Sequence, residues 1–436
     1  MRHFQEQLEK GFSETREGSD HFADDPAHRP AIETAIETAG EDTRTVTAVE
    51  VDVLKRIADS QVSWPTGFTV HRRLKPMLER RAAMASQGDI DWAMGELFAF
   101  GSVLMDGQSV RLSGQDTRRG TFVQRHAVLV DRHTGAEYTP LAHLGSSQGK
   151  FWAYDSLLSE FAAMGFEYGY SVVNPQALVI WEAQFGDFAN GAQTIIDEFL
   201  SSGEAKWGQR SRLVLLLPHG HEGQGPDHSS GRTERFLQLC AEDNMTVANC
   251  STPANYFHLL RRQARSPVTR PLVVFTPKSL LRHKAATSAV ADFTAGSFQP
   301  VLSDPGVPGQ PLDGSAIRRV LFCSGKIFYD LIRAREERAA THVAIVRVER
   351  LYPIPGRELT ETISVYPNAR EHAWVQEEPV NQGAWSFMAL NLPEHLPRHI
   401  RLYRVARKAA ASPAPGAHSV HEREQAELVA AAFADS

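Results

Sequence analysis

LVLLLPHGHEGQGPDHSS, residues 213–230, holds an unbroken apolar run and then a loop with three histidines, three glycines and two acids. Five apolar residues in succession suit a strand covered on both faces. The loop follows that strand and precedes a helical pattern at 232–242. Working outward, 177–181 (ALVIW) reads as a strand and 192–200 as a helix that stops at Ser201-Ser202-Gly203. On the other side come a strand at 245–249, a helix at 253–265 and a strand at 272–275. Thr252 is the expected N-cap of that helix, with proline in its first turn. Strand and helix in strict alternation predict a parallel α/β sheet.

Further out the texture changes. Helices are expected at 48–60, 74–84 and 92–104, the last capped by Asp89 or Asp91. Residues 1–45 are polar and read as a linker, with a short helix over 4–15. On the far side, FQPVLSDPGVPGQPLDGSA (298–316) is punctuated by proline and glycine and reads as a linker. Alternation then resumes: strands at 319–323, 342–348 and 373–376, helices at 326–338 and 357–365. A tail from about 409 ends in a helix at 420–433. The expected division is a polar linker at 1–45, an α/β domain with an N-terminal helical region at 46–300, and a smaller α/β domain at 317–436. The expected core includes Leu178, Ile180, Leu215, Leu217, Val247, Val273, Leu321 and Ile345.

Bulk properties narrow the class. The chain has 436 residues, 42% hydrophobic and 22% charged, with a formal net charge of −6. That length suggests two or three domains. The charge gives no reason to expect nucleic acid or an anionic membrane as partner. Cys240, Cys250 and Cys323 stand far apart, without the spacing of a disulfide framework or a thiolate zinc site. The first twenty residues are too polar for a secretory signal, and no apolar run reaches membrane-spanning length. The expectation is a reduced, soluble, cytoplasmic protein.

Three stretches carry possible chemistry. In the 217–230 loop, His219 and His221 have HxH spacing, but no HExxH or further ligand cluster completes a metal site. The loop also lacks the Walker pattern GxxxxGK followed by serine or threonine. An acid/base or substrate-binding histidine remains, as does a turn whose histidines cap nearby backbone. The second stretch, YDSLLSEFAAMGFEYGY (154–170), reads as a helix capped by Ser156. Its face carries Leu157, Phe161, Met164, Gly165 and Tyr168, with Glu160 beside it. That glutamate is either solvated or a buried acid needing a partner. In the third, WEAQFGDFANGAQTIIDEF (181–199), Phe185 and Phe188 flank a glycine between strand and helix. They suit a core, or a stack on a flat heterocycle.

Together, SGQDTRRGTFVQRH (113–126), LSEFAAMGFEYGY (158–170), WEAQFGDFANGAQ (181–193), LLPHGHEGQGPDHSS (216–230), FTPKSLLRHK (275–284) and WVQEEPVNQGAW (374–385) resemble signatures of a known family. It is the E1 component of 2-oxoglutarate dehydrogenase, of the thiamine-diphosphate-dependent transketolase-like superfamily. The likeness covers nearly the whole chain, and its texture is most like the actinobacterial branch. The resemblance implies a parallel-sheet pyrimidine-binding domain followed by a smaller transketolase C-terminal α/β domain. It implies that Glu160 hydrogen-bonds N1′ of the cofactor's aminopyrimidine. A carboxyl there favours the imino tautomer of the 4′-amino group, which removes the C2 proton. By the same resemblance Phe188, with Phe185, stacks on the pyrimidine, and Gln184 belongs to the cofactor side. His228 faces substrate, and His219 and His221 are structural.

The chain also departs from that family. Its members hold the cofactor diphosphate through Mg²⁺ on a GDG-type motif, and this sequence has none. Gly186-Asp187-Phe188 is among the nearest matches and belongs to the pyrimidine side. The expectation is the C-terminal half of an E1, with no metal ligands of its own, needing a diphosphate-binding half or chain. It would form a homo- or hetero-oligomer and work with the lipoyl-bearing E2 succinyltransferase and E3. The expected reaction is oxidative decarboxylation of 2-oxoglutarate with succinyl transfer to E2. The alternatives are a non-catalytic truncated E1 acting in dimerisation or E2 binding, and an unrelated histidine-metal hydrolase.

Overall fold

A computed structural model describes residues 2–23, 45–306, 312–398 and 400–434, in two units, Met1–Arg44 and Thr45–Ser436. In the first unit a helix spans Arg2–Ala23, longer than the expected 4–15. Phe4, Leu8 and Phe12 recur every four residues and so share a face. The polar residues after Thr15 hid the helix's continuation, since they carry no apolar period. The rest of the expected linker, 24–44, lies outside the described residues.

In the second unit the strands are β1 (Val110–Gly114), β2 (Leu129–Val130), β3 (Glu137–Tyr138), β4 (Phe151–Asp155) and β5 (Leu178–Glu182). Next come β6 (Val214–Pro218), β7 (Thr246–Ala248), β8 (Leu272–Thr276), β9 (Val301–Leu302) and β10 (Arg319–Cys323). The last are β11 (Val343–Val348), β12 (Arg350–Tyr352), β13 (Glu371–Pro379) and β14 (Leu402–Arg407). Among the described residues they make a seven-stranded sheet, β12-β7-β8-β6-β5-β1-β4, a five-stranded sheet, β14-β13-β10-β11-β9, and the hairpin β2-β3. The fold is mixed α/β with parallel-dominant sheets.

Two edges break the expected all-parallel pattern. β9 lies inside the expected 298–316 linker and pairs antiparallel with β11. β12 follows β11 in sequence yet pairs antiparallel with β7 of the larger sheet. Antiparallel edge strands need no crossover helix, so two or three residues suffice, too few to show in sequence. Residues 307–311 of the expected linker lie outside the described residues.

The unbroken apolar strands are explained by burial on both faces. Leu215 and Leu217 of β6, Val179 and Trp181 of β5, and Val273 and Phe275 of β8 enter one core. Their neighbours Val214, Leu216, Leu178, Ile180, Leu272 and Val274 enter the other. The first core continues onto the smaller sheet through Val320, Phe322, Val346 and Trp374. All eight residues expected in the core are fully buried. Truncating one such leucine to alanine costs about 2–5 kcal/mol.

The helix Pro253–Arg265 begins as expected, with Thr252 Oγ1 accepting from the Asn255 N–H. Asp91, of the two candidates, caps the helix Trp92–Met105, accepting from Met94 N at 2.9 Å. The expected cap Ser156 is incorrect. Ser159 caps the helix Glu160–Val173 and accepts from Ala162 N. Ser156 instead donates to Leu157 O in the preceding loop, and Leu157 is exposed there. The helix therefore starts at Glu160. The expected helix at 192–200 is two short pieces of different pitch, Gln193–Ile195 and Ile196–Leu200, preceded by a tighter turn at Gly186–Ala192. This segment passes tightly under the 219–231 loop. A Cβ at Gly186 would lie 2.8 Å from Pro218 O and from the Gly231 Cα.

Candidate active site

Parallel strands present their carboxyl ends on one side, where open α/β sheets bind ligands. The loops after β1, β5, β6 and β8 meet there. Glu160 opens its helix, half-buried, in the first turn, where the unpaired N–H groups favour a carboxylate. Gln115, directly after β1, donates from Nε2 to Glu160 Oε1 at 2.8 Å. The other oxygen, Oε2, faces Gly191, where an added Cβ would lie 3.2 Å away. The missing side chain leaves that oxygen room.

Gly191 belongs to the turn that carries Phe188. The Phe185, Phe188 and His228 rings cluster: centroids lie 4.5 Å apart for Phe185–His228, 5.7 Å for Phe188–His228 and 5.9 Å for Phe185–Phe188. Phe122 adds an edge-on contact to Phe185 at 5.4 Å. The half-exposed carboxylate and the aromatic cluster are thus brought to one end of the sheet, linked through the 186–192 turn. The Gln184 amide donates to Asp116 Oδ2 at 3.3 Å.

The remaining histidines of the loop have other partners. His219 Nδ1 accepts from the Gly231 N–H at 3.1 Å, so the hydrogen bonding puts its proton on Nε2, which donates to Glu378 Oε1 at 2.8 Å. Burial favours the neutral form of Glu378, but the His219 hydrogen bond outweighs it and holds the carboxyl down, at about 2. His221 Nε2 bonds Pro413 O at 2.9 Å, and burial pulls its pKa to about 3, keeping the ring neutral. These contacts join the loop to β13 and to the C-terminal segment. Among the described residues no three His, Cys, Asp or Glu side chains come together as a metal-holding group. No helix there is long and apolar enough to cross a membrane.

Several site residues escaped the sequence reading. Asp187 and Lys278 hold the His228 loop. Lys278 Nζ donates to His228 O and to Gln224 Oε1. Burial lowers the Lys278 pKa, against the opposing charges of Glu222, Asp187 and Glu377. Beneath the 115–126 loop lies a buried ion network. Arg125 forks onto Glu182 at 2.6 Å through both Nη1 and Nη2, and onto Glu96 at 2.6 Å through Nε. Thr117 Oγ1 donates to Glu182, and Tyr256 Oη to Glu96. The signal for it was readable: ALVIWE (177–182) ends an apolar strand on a charge, which needs a partner when buried. The partner's identity was not readable, because Glu96, Arg125 and Glu182 are far apart in sequence.

Residues 88–284 match the transketolase pyrimidine-binding domain, and residues 287–433 match the 2-oxoglutarate dehydrogenase C-terminal domain. Over 441 residues the chain is 54% identical to the "Multifunctional 2-oxoglutarate metabolism enzyme" of Mycobacterium sp. (strain KMS), a match covering 100% of this chain and 34% of that relative. The relative of the same name from Mycolicibacterium vanbaalenii is 53% identical, over 99% of this chain and 35% of its own length. The chain spans about a third of the length of the curated relatives it matches. Fold and matched domains define a transketolase-like protein. More narrowly, the chain carries a transketolase pyrimidine-binding domain followed by a 2-oxoglutarate dehydrogenase C-terminal domain.

Proposed function

We propose that Glu160, Phe188, Phe185 and His228 form the aminopyrimidine side of a thiamine diphosphate site, in an E1 that decarboxylates 2-oxoglutarate and passes the succinyl group to lipoyl-E2. The observation that carries this reading is the Glu160 carboxylate. One oxygen is held by Gln115, and the other is left room by Gly191, on the turn that bears the aromatic cluster. The match of residues 88–284 to the transketolase pyrimidine-binding domain supports the choice of cofactor.

When bound, thiamine diphosphate supplies the electron sink that decarboxylation of a 2-oxo acid requires. The chain's own residues position and move protons. Glu160 Oε2 would hold or release a proton toward the pyrimidine ring nitrogen N1′, while the Gln115 amide holds Oε1 in place. Phe188 and Phe185 offer apolar faces to the pyrimidine and exclude water. His228 faces the substrate side and handles a proton there through its imidazole. Gln184, whose amide is held by Asp116, belongs to the cofactor side. In this reading 46–300 is the pyrimidine-binding region, 317–436 the C-terminal domain and 1–45 a connecting segment. The diphosphate and its Mg²⁺ are held by a partner half or chain, and the assembly is oligomeric, working with E2 and E3.

The test is reconstitution. The chain is mixed with a diphosphate-binding half from a related E1, and 2-oxoglutarate-dependent CO2 release is followed. Activity is expected in the mixture and loss of it in Glu160→Ala. Undiminished activity of Glu160→Ala would overturn the assignment.

A further inference from the structure

The aromatic cluster draws its members from two segments that are distant in sequence. Phe188 sits in the turn after β5, and His228 in the loop after β6. Ring contacts alone do not set the relation between the two loops. One residue spans them. Asp187, next to Phe188, is 7% exposed. Its Oδ1 accepts from the backbone N–H of Ser229 at 3.1 Å and of Ser230 at 3.0 Å. These two amides directly follow His228, and both serines are fully buried. The second oxygen, Oδ2, is buried with no hydrogen-bond partner among the described residues, so the carboxylate's hydrogen bonding there goes to the loop. From the other side, the Lys278 ammonium donates to the His228 carbonyl. The residue that aims the histidine is therefore adjacent in sequence to the phenylalanine it must face.

We infer that Asp187 is a positioning residue, a strut that fixes the His228 imidazole against Phe185 and Phe188 by tying the 186–192 turn to the 228–230 backbone. Its hydrogen bonds go to the backbone of Ser229 and Ser230, apart from the Gln115–Glu160 pair. Asn in its place retains an oxygen that accepts the same two N–H groups, whereas Ala leaves both amides buried and unpaired. The inference rests on the assignment of His228 to the working side of the site. Its geometric content can be read without turnover.

The experiment uses the full chain with ¹³C-labelled histidine. His228 stands edge-on to Phe185, at 4.5 Å and 89°, so the phenylalanine ring current displaces its carbon-bound proton resonances. His228→Gln deletes that signal and assigns it. In Asp187→Ala the signal is expected to move toward the position of an exposed histidine. Amide exchange across 228–231 is expected to accelerate at least tenfold, and Asp187→Asn to keep both properties. If Asp187→Ala does not fold, Asp187→Ser takes its place, since its hydroxyl is too short to reach both amides. An unmoved signal with unchanged exchange in the truncated variant overturns the strut, as does Asn behaving like Ala. Intact decarboxylation by His228→Gln in the reconstituted enzyme would instead sink the role of the histidine and leave the strut standing.

Discussion

Glu182 ends β5 and Glu160 opens the helix after β4, at the same end of the larger sheet, yet their surroundings are opposite. Glu182 is buried, and both its oxygens are taken by the Arg125 fork, with Thr117 adding a third donor. Glu160 is half-buried and has one side-chain donor, Gln115, on one oxygen. A carboxylate saturated by a fixed cation holds loops together, because removing any partner strands a buried charge. A carboxylate with one oxygen oriented and the other given room is arranged to meet a ligand. The same contrast runs through the histidines. His221 is buried and bonded to Pro413 O, while His228 has its ring among phenylalanines and only its backbone tied.

Arg125→Leu attacks the closed cluster and should have the largest effect. It leaves Glu96 and Glu182 buried without their cation, at a cost of about 3–5 kcal/mol in denaturant unfolding. A loss below about 1 kcal/mol would mean the network is not the structural half of the contrast. Next is acid sensitivity through His221. Its folded pKa, about 3, lies below the unfolded value of 6.5. The unfolded chain therefore binds a proton that the folded chain refuses, and this stability is lost as pH falls from 6.5 toward 3. Between pH 6.5 and 4 the term is about 3 kcal/mol. His221→Gln should flatten the stability profile there by that order, and an unchanged slope would contradict the burial argument.

Glu160→Gln sharpens the open side. Decarboxylation in the reconstituted pair should fall about 100-fold, since general acid/base residues contribute at least that much. Unfolding free energy should change by no more than about 0.5 kcal/mol, as for a partly exposed side chain outside the core. A large stability loss would move Glu160 into the structural class. The smallest effect is expected from Gly191→Ala. Its Cβ crowds Glu160 Oε2 at 3.2 Å, and the side chain can yield. Stability should change by less than about 1 kcal/mol, with cofactor binding weakened several-fold in calorimetry of the reconstituted pair.

The strands of the larger sheet were legible because LVLLL and ALVIW are apolar on both faces, and the helix Pro253–Arg265 because its cap and proline are local signals. The edge strands β9 and β12 were not, being two or three residues long and defined by distant partners. The start of the Glu160 helix was misplaced by three residues because Ser156 and Ser159 are chemically equal as caps. Only the chain's path, which leaves Leu157 and Leu158 exposed, selects the second. Glu160, Phe185 and Phe188 came to notice from the residue pattern around them, but their roles, and the choice of His228 among three histidines, came from motif resemblance. Gln115 and Asp187 lay inside quoted motifs, but their hydrogen bonds span 45 and at least 42 residues, distances that no local pattern encodes.

In the proposed reading the open carboxylate, and not the closed one, meets the cofactor. The direct measurement is a calorimetric titration of thiamine diphosphate with Mg²⁺ into the chain paired with a diphosphate-binding half, for wild type and Glu160→Gln. Saturable binding is expected for the wild-type pair and markedly weaker binding for the variant, with unchanged thermal unfolding of the free chain. Equal affinities for the two would contradict it.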